Sequence, residues 1–441
     1  MRLRAGPARL LAAALAATVS AVVFAAPGSR QGRAVPVAAT TVEDGCPGVT
    51  VPGAERAVTA CLADLTTTGT TPAGFTDPAD WAGLVTPTAV PPSGIPGVQV
   101  DGFFPDTSRT NTNHGWNHDA QFVLRLPDRW NGGLVVAGPP GTREQYANDP
   151  IISDPVLARG YAYAATDKGN TGPDVASDGA RPGDAILEWH RRLTQLTRAA
   201  RIVTARHYGR TPARTYAAGL SAGGYLVRWQ LEHHPELYTG GIDWNALIFT
   251  PGTNLLTTLP PALRAYPAYA NGDTAGHGAL LAAGYPAGSE PAWGFSYTNL
   301  WAPLQHQIRA ELDPSYDGDE AAYDLASRPA SVRAAIARLG LSGHLRRPLV
   351  SVQGTLDALT PPSRYADTYD RLIAKAGRTA LHREHRVPGG AHTDGLVALA
   401  PAVFQPVLPQ FVTAFTELEQ WTDPSARVGP ALKGASTRPT R

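Results

Sequence analysis

The sequence has little lysine and almost no charge imbalance. Lysine occurs only at Lys168, Lys375 and Lys433, and arginine provides the remaining positive charge. The 38 basic and 37 acidic side chains leave a formal net charge of +1. A chain with so little excess charge gives no indication of a nucleic-acid partner or an anionic membrane surface.

Cysteine is also scarce, with Cys46 and Cys61 as the two present. Neither has a sequence context that is typical of catalysis or of a metal site, so we expect no bound metal. An isolated close pair in an oxidising compartment most often forms a disulfide, and we predict one here. The alternative is two free thiols.

The N-terminus has the pattern of an export signal. Arginines precede an uncharged, alanine-rich run from residue 10 to residue 26, and small residues follow at possible cleavage points after Ala25 or Ala39. This order is typical of a secretory signal peptide. The alternative is a membrane anchor, but the run is short compared with the roughly 20 residues that span a bilayer. We therefore predict a secreted, extracellular protein with no stable membrane insertion after cleavage.

Composition and pattern divide the rest of the chain into an extension, an interrupted core and a tail. The extension is rich in Thr, Pro, Gly and Ala, and we expect one short helix in it near residues 55–62. The predicted boundaries are a signal peptide and leader at 1–39, an N-terminal extension at 40–95, core at 96–252, a cap insertion at 253–342, core at 343–423 and a flexible tail at 424–441.

Within the core, short apolar runs alternate with helical patterns. Two early runs, 97–105 and 120–127, predict antiparallel strands, whereas later runs such as 132–138 predict buried strands. Apolar positions at helical spacing predict helices over 184–207 and 222–234. This alternation favours an α/β fold with a mostly parallel central sheet and helices on both faces.

The stretch Gly219-Leu220-Ser221-Ala222-Gly223 fits the G-x-S-x-G pattern of a nucleophile elbow. It follows a predicted strand and precedes a predicted helix, as that pattern requires. Glycines are needed because side chains would collide in so tight a turn. The turn would raise the serine hydroxyl above the sheet and direct the Ala222 N–H, at a helix N-terminus, toward developing negative charge.

A serine hydroxyl needs a base, and the base needs an orienting acid. Asp357 ends the apolar strand in VQGTLDALTPP, and His392 lies in the glycine-flanked loop VPGGAHTDG. In folds with a nucleophile elbow, the nucleophile comes first along the chain, then the acid and then the base. Ser221, Asp357 and His392 follow this order. The alternative readings are a turn-capping aspartate and an ordinary loop histidine.

A second oxyanion donor normally comes from the loop that here reads GLVVAGPPGTREQ. Pro139 and Pro140 have no N–H, which leaves Gly141 or Thr142 as the donor. The alternative is that this loop only packs against the elbow.

The set GLSAGG, GTLDALTPP and GGAHTDG resembles the α/β-hydrolase superfamily from about residue 97 to 420. With GYAYAATDKGN, it is most similar to the secreted esterases of the tannase and feruloyl-esterase group and to the 3-hydroxybutyrate-oligomer hydrolases. The tannase pattern has paired cysteines beside the serine and the histidine, and this chain has Leu220 and Thr393 there. The resemblance implies a triad of Ser221, Asp357 and His392 and the hydrolysis of esters without a cofactor.

Other residues are candidates for substrate contact. Lys168 follows a predicted strand at the functional edge, although a surface turn explains it equally well. Aromatic residues of the insertion could line an apolar slot or could simply pack the cap onto the sheet. These aromatic residues are Trp293, Phe295, Tyr297 and Trp301.

Two polar clusters are better explained as turns than as metal sites. His114, His118 and Asp119 lie among Gly and Asn residues that favour a turn. The acidic stretch 313–320 does not match a twelve-residue calcium loop. That stretch could instead hold a substrate N-terminus.

The function predicted from sequence is therefore that of a secreted serine hydrolase that cleaves carboxylic esters, of small molecules or oligomers, through an acyl-enzyme. Phenolic esters and hydroxyacid oligomers are the candidate substrates. One alternative is an exported aminopeptidase of the same fold, and another is a catalytically inactive binding module.

Overall fold

The computed structural model describes residues 46–86, 89–171, 175–176 and 179–423. The predicted signal peptide and leader, with both possible cleavage points, and the predicted tail lie outside the described residues.

A nine-stranded sheet forms the centre of the described chain, with the spatial order β1-β2-β3-β5-β4-β6-β7-β8-β9. Strands β1, β2, β3 and β5 pair antiparallel, and every pair from β5 across to β9 is parallel. The strands are β1 Arg56–Leu62, β2 Gly97–Phe103, β3 Gln121–Pro127, β4 Gly133–Gly138, β5 Ala162–Thr166, β6 Arg214–Leu220, β7 Gly240–Trp244, β8 Leu349–Gly354 and β9 His382–Val387. The prediction of a mostly parallel sheet is confirmed.

Helices cover both faces of this sheet. The helices are α1 Thr67–Thr70, α2 Asp154–Leu157, α3 Asp184–Tyr208, α4 Ala222–His233, α5 Leu255–Ala270, α6 Thr274–Ala282, α7 Glu290–Ser296, α8 Ala302–Leu312, α9 Ala330–Arg338, α10 Ala366–Lys375 and α11 Leu408–Thr422. One apolar core contains the inward faces of α3 and α4, and a second contains that of α11. Strands that are apolar on both sides require this cover, because each face of the sheet must be buried.

The prediction of a helix near residues 55–62 is wrong, because this segment is strand β1. It pairs antiparallel with β2 along its whole length, from Arg56 opposite Phe103 to Leu62 opposite Gly97. Pairing satisfies backbone groups along β2 that would otherwise form an open sheet edge. A long-range contact of this kind cannot be read from local composition.

The insertion between β7 and β8 is helical. It contains α5 to α9, and a π-helical turn, Tyr297–Trp301, joins α7 to α8. The last helix of the insertion is α9, Ala330–Arg338. Apolar residues of α5 and α8 join the same core as α3 and α4, so the insertion packs onto the sheet.

The described residues contain no helix that combines the length and the apolar character needed to cross a membrane.

The predicted disulfide between Cys46 and Cys61 is present, with the two Cα atoms 5.6 Å apart. It closes a loop over a sequence separation of 15 residues and attaches the start of the described chain to β1. In the chain-entropy model, such a link stabilises the fold mainly by limiting the conformational freedom of the unfolded chain.

We expect reduction of this disulfide to lower the free energy of unfolding by about 3 kcal/mol, the value for a loop of this length in the chain-entropy model. Urea denaturation with and without reductant measures the difference. The chain has no other cysteine, so a Cys46→Ser, Cys61→Ser double variant should be insensitive to reductant. Equal urea midpoints for the oxidised and reduced protein would contradict the prediction.

Candidate active site

Ser221 occupies the turn between β6 and α4, in a backbone conformation that few residues other than glycine adopt. Its φ is 58° and its ψ is −116°. A Cβ atom at Gly219 would collide with the backbone of Gly223, and one at Gly223 would collide with the carbonyl oxygen of Gly138. The glycines of the motif are therefore required by close backbone packing. The same packing brings the end of β4 against the elbow.

Backbone hydrogen bonds fix this turn from both sides. The Ser221 N–H donates to the Trp244 carbonyl at 2.9 Å, and the Ser221 carbonyl accepts from Leu247 at 3.1 Å. Ala222 is the first residue of α4, so its N–H lies at a helix N-terminus. Such an N–H has no partner within the helix and favours negative charge.

Asp357 and His392 form a hydrogen-bonded pair. The Asp357 Oδ2 atom lies 2.9 Å from His392 Nδ1. The other carboxylate oxygen accepts from the N–H groups of Leu359 and Thr360, each at 2.8 Å, and the Thr360 hydroxyl donates to Oδ2. Burial alone would raise the pKa of Asp357, but the charge and hydrogen bond of His392 and the bonds from Thr360 hold this pKa below its usual range.

The buried side chain of Asn245 joins the segments that carry these residues. It follows β7, with a φ of 46°. Its Nδ2 atom donates to the carbonyls of Ala391 and His392 at 2.8 and 2.9 Å, and its Oδ1 atom accepts from Gly354 N–H at 2.8 Å. The Asn245 carbonyl accepts from the Thr360 hydroxyl at 3.3 Å. No sequence motif identifies Asn245 as a residue of the site. The one feature that could have indicated it is its position directly after the residues of β7.

The turn after β4 contains the two candidate oxyanion donors, Gly141 and Thr142. The Arg143 N–H donates to the Pro140 carbonyl at 3.3 Å and closes the turn, and Gly141 has a φ of 52°. The turn follows Gly138, which lies against the elbow. The structure thus brings the start of the predicted donor segment against the elbow.

Lys168 is not exposed at the functional edge, in contrast to the expectation of a substrate contact or a surface turn. It is fully buried. Its ammonium group donates to the carbonyls of Pro139 and Gly141 at 3.1 and 2.6 Å. Lys168 therefore contacts the backbone of the turn after β4.

The four aromatic candidates of the insertion have different environments. Trp293 and Trp301 are fully buried, and their indole N–H groups donate to Ser289 Oγ and to the Ala358 carbonyl. Their burial corrects the expectation that they line a substrate slot, because they pack the insertion instead. Tyr297 is half-buried and stacks on the ring of Tyr266, with 4.5 Å between the ring centroids.

Phe295 packs against residues of the histidine loop. It is half-buried and packs against an apolar cluster that contains Ala391, the residue before His392, and Leu396. Leu356, the residue before Asp357, packs against the same cluster. The residues that precede Asp357 and His392 in the chain therefore pack in or against one apolar cluster.

The two polar clusters form internal contacts. Asp119 accepts hydrogen bonds from Ser108, Thr110 and Asn111, and His114 bonds to the Tyr146 hydroxyl. In the acidic stretch, Asp313 pairs with Arg328 and Glu320 pairs with Arg309. Within the described part of the chain, no group of three His, Cys, Asp or Glu residues could hold a metal ion.

The N-terminal extension reaches the site, which sequence reasoning did not foresee. Arg143 of the turn after β4 donates to the carbonyls of Asp80 and Ala82, both at 2.8 Å. Thr393, the residue after His392, donates to the Gly83 carbonyl at 2.8 Å. The segment 80–83 therefore bridges the turn and the histidine loop.

A second Ser–His–Asp arrangement occurs inside the fold. His382 Nε2 lies 3.0 Å from Ser351 Oγ, and its Nδ1 lies 3.1 Å from Asp370. Ser351 is buried within β8, and its hydroxyl donates to Asp243 at 3.0 Å. The Ser351 hydroxyl proton is therefore already donated to a carboxylate, and the serine is buried where a substrate could not reach it. We interpret this set as structural.

Comparison with solved structures identifies the class of fold. The chain superposes on feruloyl esterase B from Aspergillus oryzae with a TM-score of 0.55, covering 86% of this chain and 88% of that chain at 12% identity. It superposes on a second esterase from Aspergillus oryzae with a TM-score of 0.52, covering 80% and 83% at 11% identity. The fold is that of an α/β hydrolase, as the sequence predicted.

Sequence comparison narrows this class for one segment. Residues 107–247 match the family model described as tannase and feruloyl esterase. Mono(2-hydroxyethyl) terephthalate hydrolase from Piscinibacter sakaiensis is 30% identical over 139 residues. That match spans 29% of this chain and 23% of the length of the relative. The resemblance to the tannase and feruloyl-esterase group is confirmed for this segment.

We expect Asn245→Asp to lower the free energy of unfolding by about 3 kcal/mol. The change keeps the acceptor for Gly354 but leaves two buried carbonyls without a donor and adds a buried charge. Urea denaturation measures the loss. Asn117→Asp is the matched control, because Asn117 is exposed and has a similar φ of 47°, and it should change stability by no more than about 0.5 kcal/mol. Equal losses for the two variants would contradict the role assigned to Asn245.

Proposed function

We propose that the protein is a secreted serine hydrolase that cleaves carboxylic esters through an acyl-enzyme, with Ser221 as nucleophile, His392 as base and Asp357 as the orienting acid. The observation that carries the proposal is the hydrogen bond between Asp357 and His392. Asn245, which follows β7 beside the elbow of Ser221, binds the histidine loop through the His392 carbonyl. A lone G-x-S-x-G turn would support far less.

In the proposed mechanism the Ser221 hydroxyl attacks the ester carbonyl while His392 Nε2 takes its proton. The Ala222 N–H and an amide of the turn after β4 bind the oxyanion. The intermediate collapses, His392 returns the proton to the leaving alcohol, and an acyl-enzyme remains. A water molecule, deprotonated by His392, then releases the acid. Asp357 stays ionised throughout, because its pKa is below the usual range.

The comparisons and the surroundings of the site support an ester as substrate. The names of the similar proteins include a feruloyl esterase and a terephthalate-ester hydrolase. Apolar residues beside His392, including Phe295 and Leu396, suit a substrate with an apolar or aromatic part, such as a phenolic ester or a hydroxyacid oligomer. We propose that the insertion 253–342 acts as a cap on this side.

Export is supported by the N-terminal pattern and by the disulfide, which forms in oxidising compartments. An aminopeptidase would need unpaired acidic groups to bind a substrate N-terminus. Asp313 and Glu320 are each paired with an arginine, so the acidic stretch does not favour that alternative. An assay of a p-nitrophenyl ester beside an aminoacyl p-nitroanilide compares the two activities directly.

We expect Ser221→Ala to lower kcat for a p-nitrophenyl ester by at least about 10⁴-fold and to abolish labelling by a fluorophosphonate probe.

Asp357→Asn should lower kcat by about 10⁴-fold while the serine stays in place, because the amide stabilises the wrong imidazole tautomer. Initial rates and the mass of the labelled peptide provide the measurements.

Ser351→Ala is the control for these variants, because Ser351 also contacts a histidine but lies inside the sheet. It should keep the esterase rate and the labelling of Ser221. Labelling of a peptide that contains Ser351, or a wild-type protein that neither hydrolyses esters nor reacts with the probe, would refute the proposal.

A further inference from the structure

The buried ammonium of Lys168 is bound to the backbone of the turn after β4. Its Nζ atom lies 3.1 Å from the Pro139 carbonyl oxygen and 2.6 Å from that of Gly141. These are the carbonyls of a turn closed by the Arg143 N–H. A charged donor that binds two carbonyls of one short turn fixes the orientation of its peptide planes.

The order of the strands places this lysine and the elbow on opposite sides of the turn. Lys168 follows β5, the turn follows β4, and Ser221 follows β6. In the sheet these strands lie in the order β5-β4-β6, and all three run parallel. The Gly141 carbonyl is therefore bound by a side chain that comes from the β5 side of the turn, whereas the elbow follows β6 on the other side.

The opposite edge of the same peptide unit points away from the Lys168 ammonium. The peptide bonds of the described chain are trans, so the Gly141 C=O and the Thr142 N–H point in opposite directions. Among the described residues, the Thr142 amide has no hydrogen-bond acceptor. We propose that Lys168 is a positioning residue that turns the Thr142 N–H toward Ser221 as the second oxyanion donor, an inference that rests on the proposed function.

The backbone conformation at Lys168 and the ring of Trp189 restrict the position of the Lys168 side chain. Its backbone has a φ of 70° and that of Gly169 a φ of 89°, a local conformation that costs free energy for a lysine. The ammonium lies 5.1 Å from the ring centroid of Trp189, whose indole N–H is fixed by the Asn170 side chain. Burial lowers the pKa of Lys168 to about 7, because the charged form loses hydration in the interior. The hydrogen bonds to the two carbonyls offset part of this free-energy cost.

The test compares Lys168→Met, which removes the donor, with Lys168→Gln, which keeps a shorter one. For a p-nitrophenyl ester we expect Lys168→Met to lower kcat by about 10- to 100-fold, below the loss for deleting an oxyanion donor outright. KM should change less than about threefold, because the interaction acts on the transition state. Lys168→Gln should recover part of kcat. Lys375→Met, at an exposed helical site, is the matched lysine control with unchanged kinetics.

A second pair of variants tests the donor itself with Lys168 intact, in case neither lysine variant folds. Thr142→Pro deletes the N–H and also fixes φ at residue 142, whereas Thr142→Ala keeps the N–H and removes most of the side chain. We expect the proline variant to be at least tenfold less active than the alanine variant, with parallel weakening of a trifluoromethyl-ketone inhibitor that mimics the oxyanion.

The outcomes separate this inference from the proposed function. If wild-type protein lacks esterase activity and probe labelling, the proposed function fails. If wild type is active but folded Lys168→Met keeps kcat within twofold, or loses activity through KM alone, the positioning role is wrong. Equal activity of Thr142→Pro and Thr142→Ala would likewise overturn the assignment of the donor.

Discussion

The hydrogen bonds of the Asn245 side chain connect the loops on which the geometry of the site depends. Each of the candidate residues Ser221, Asp357 and His392 follows a different strand, and parallel strands bring their carboxyl ends to one edge of the sheet. Strand alignment alone leaves each loop free to move. Asn245 removes this freedom for two of the loops, since it binds the backbone of the histidine loop and of β8. The elbow is fixed separately, by backbone bonds to Trp244 and Leu247.

Two buried charges near the site, on Asp357 and Lys168, are each compensated by neighbouring polar groups. Asp357 is ionised in the interior because His392 and Thr360 compensate for the loss of hydration. Lys168, on the other side of the elbow, is compensated by carbonyl dipoles of the turn after β4. The proposed reaction moves negative charge onto the substrate oxygen and positive charge onto His392. Each developing charge therefore faces groups already oriented to receive it, so little reorganisation is needed during the reaction.

The parts of the structure that the sequence predicted are those in which a local pattern dictates a local geometry. The glycines around Ser221 are required by contacts within a few ångströms, and the strand–helix alternation follows from burial of short apolar runs. The features that sequence reasoning missed, or to which it gave another role, depend on contacts between residues far apart in the chain. Strand β1 depends on pairing with β2, Asn245 on loops more than a hundred residues away, and Lys168 on the turn after β4. For Trp293 and Trp301, which are buried, the sequence left a substrate slot and packing of the cap both open, because composition does not distinguish an aromatic core from an aromatic pocket.

The segment that matches known families, 107–247, covers only part of the proposed machinery. It includes the turn after β4, Lys168 and the elbow, and therefore the groups proposed to attack and to bind the oxyanion. It does not include Asp357, His392, the helical insertion or the extension segment 80–83, which bridges Arg143 and Thr393. In the proposed enzyme these last two elements border the site from different parts of the chain. Similarity within the segment thus bears on the type of chemistry, whereas in the proposed enzyme the elements that border the site outside this segment would contribute to the choice of acyl and alcohol groups.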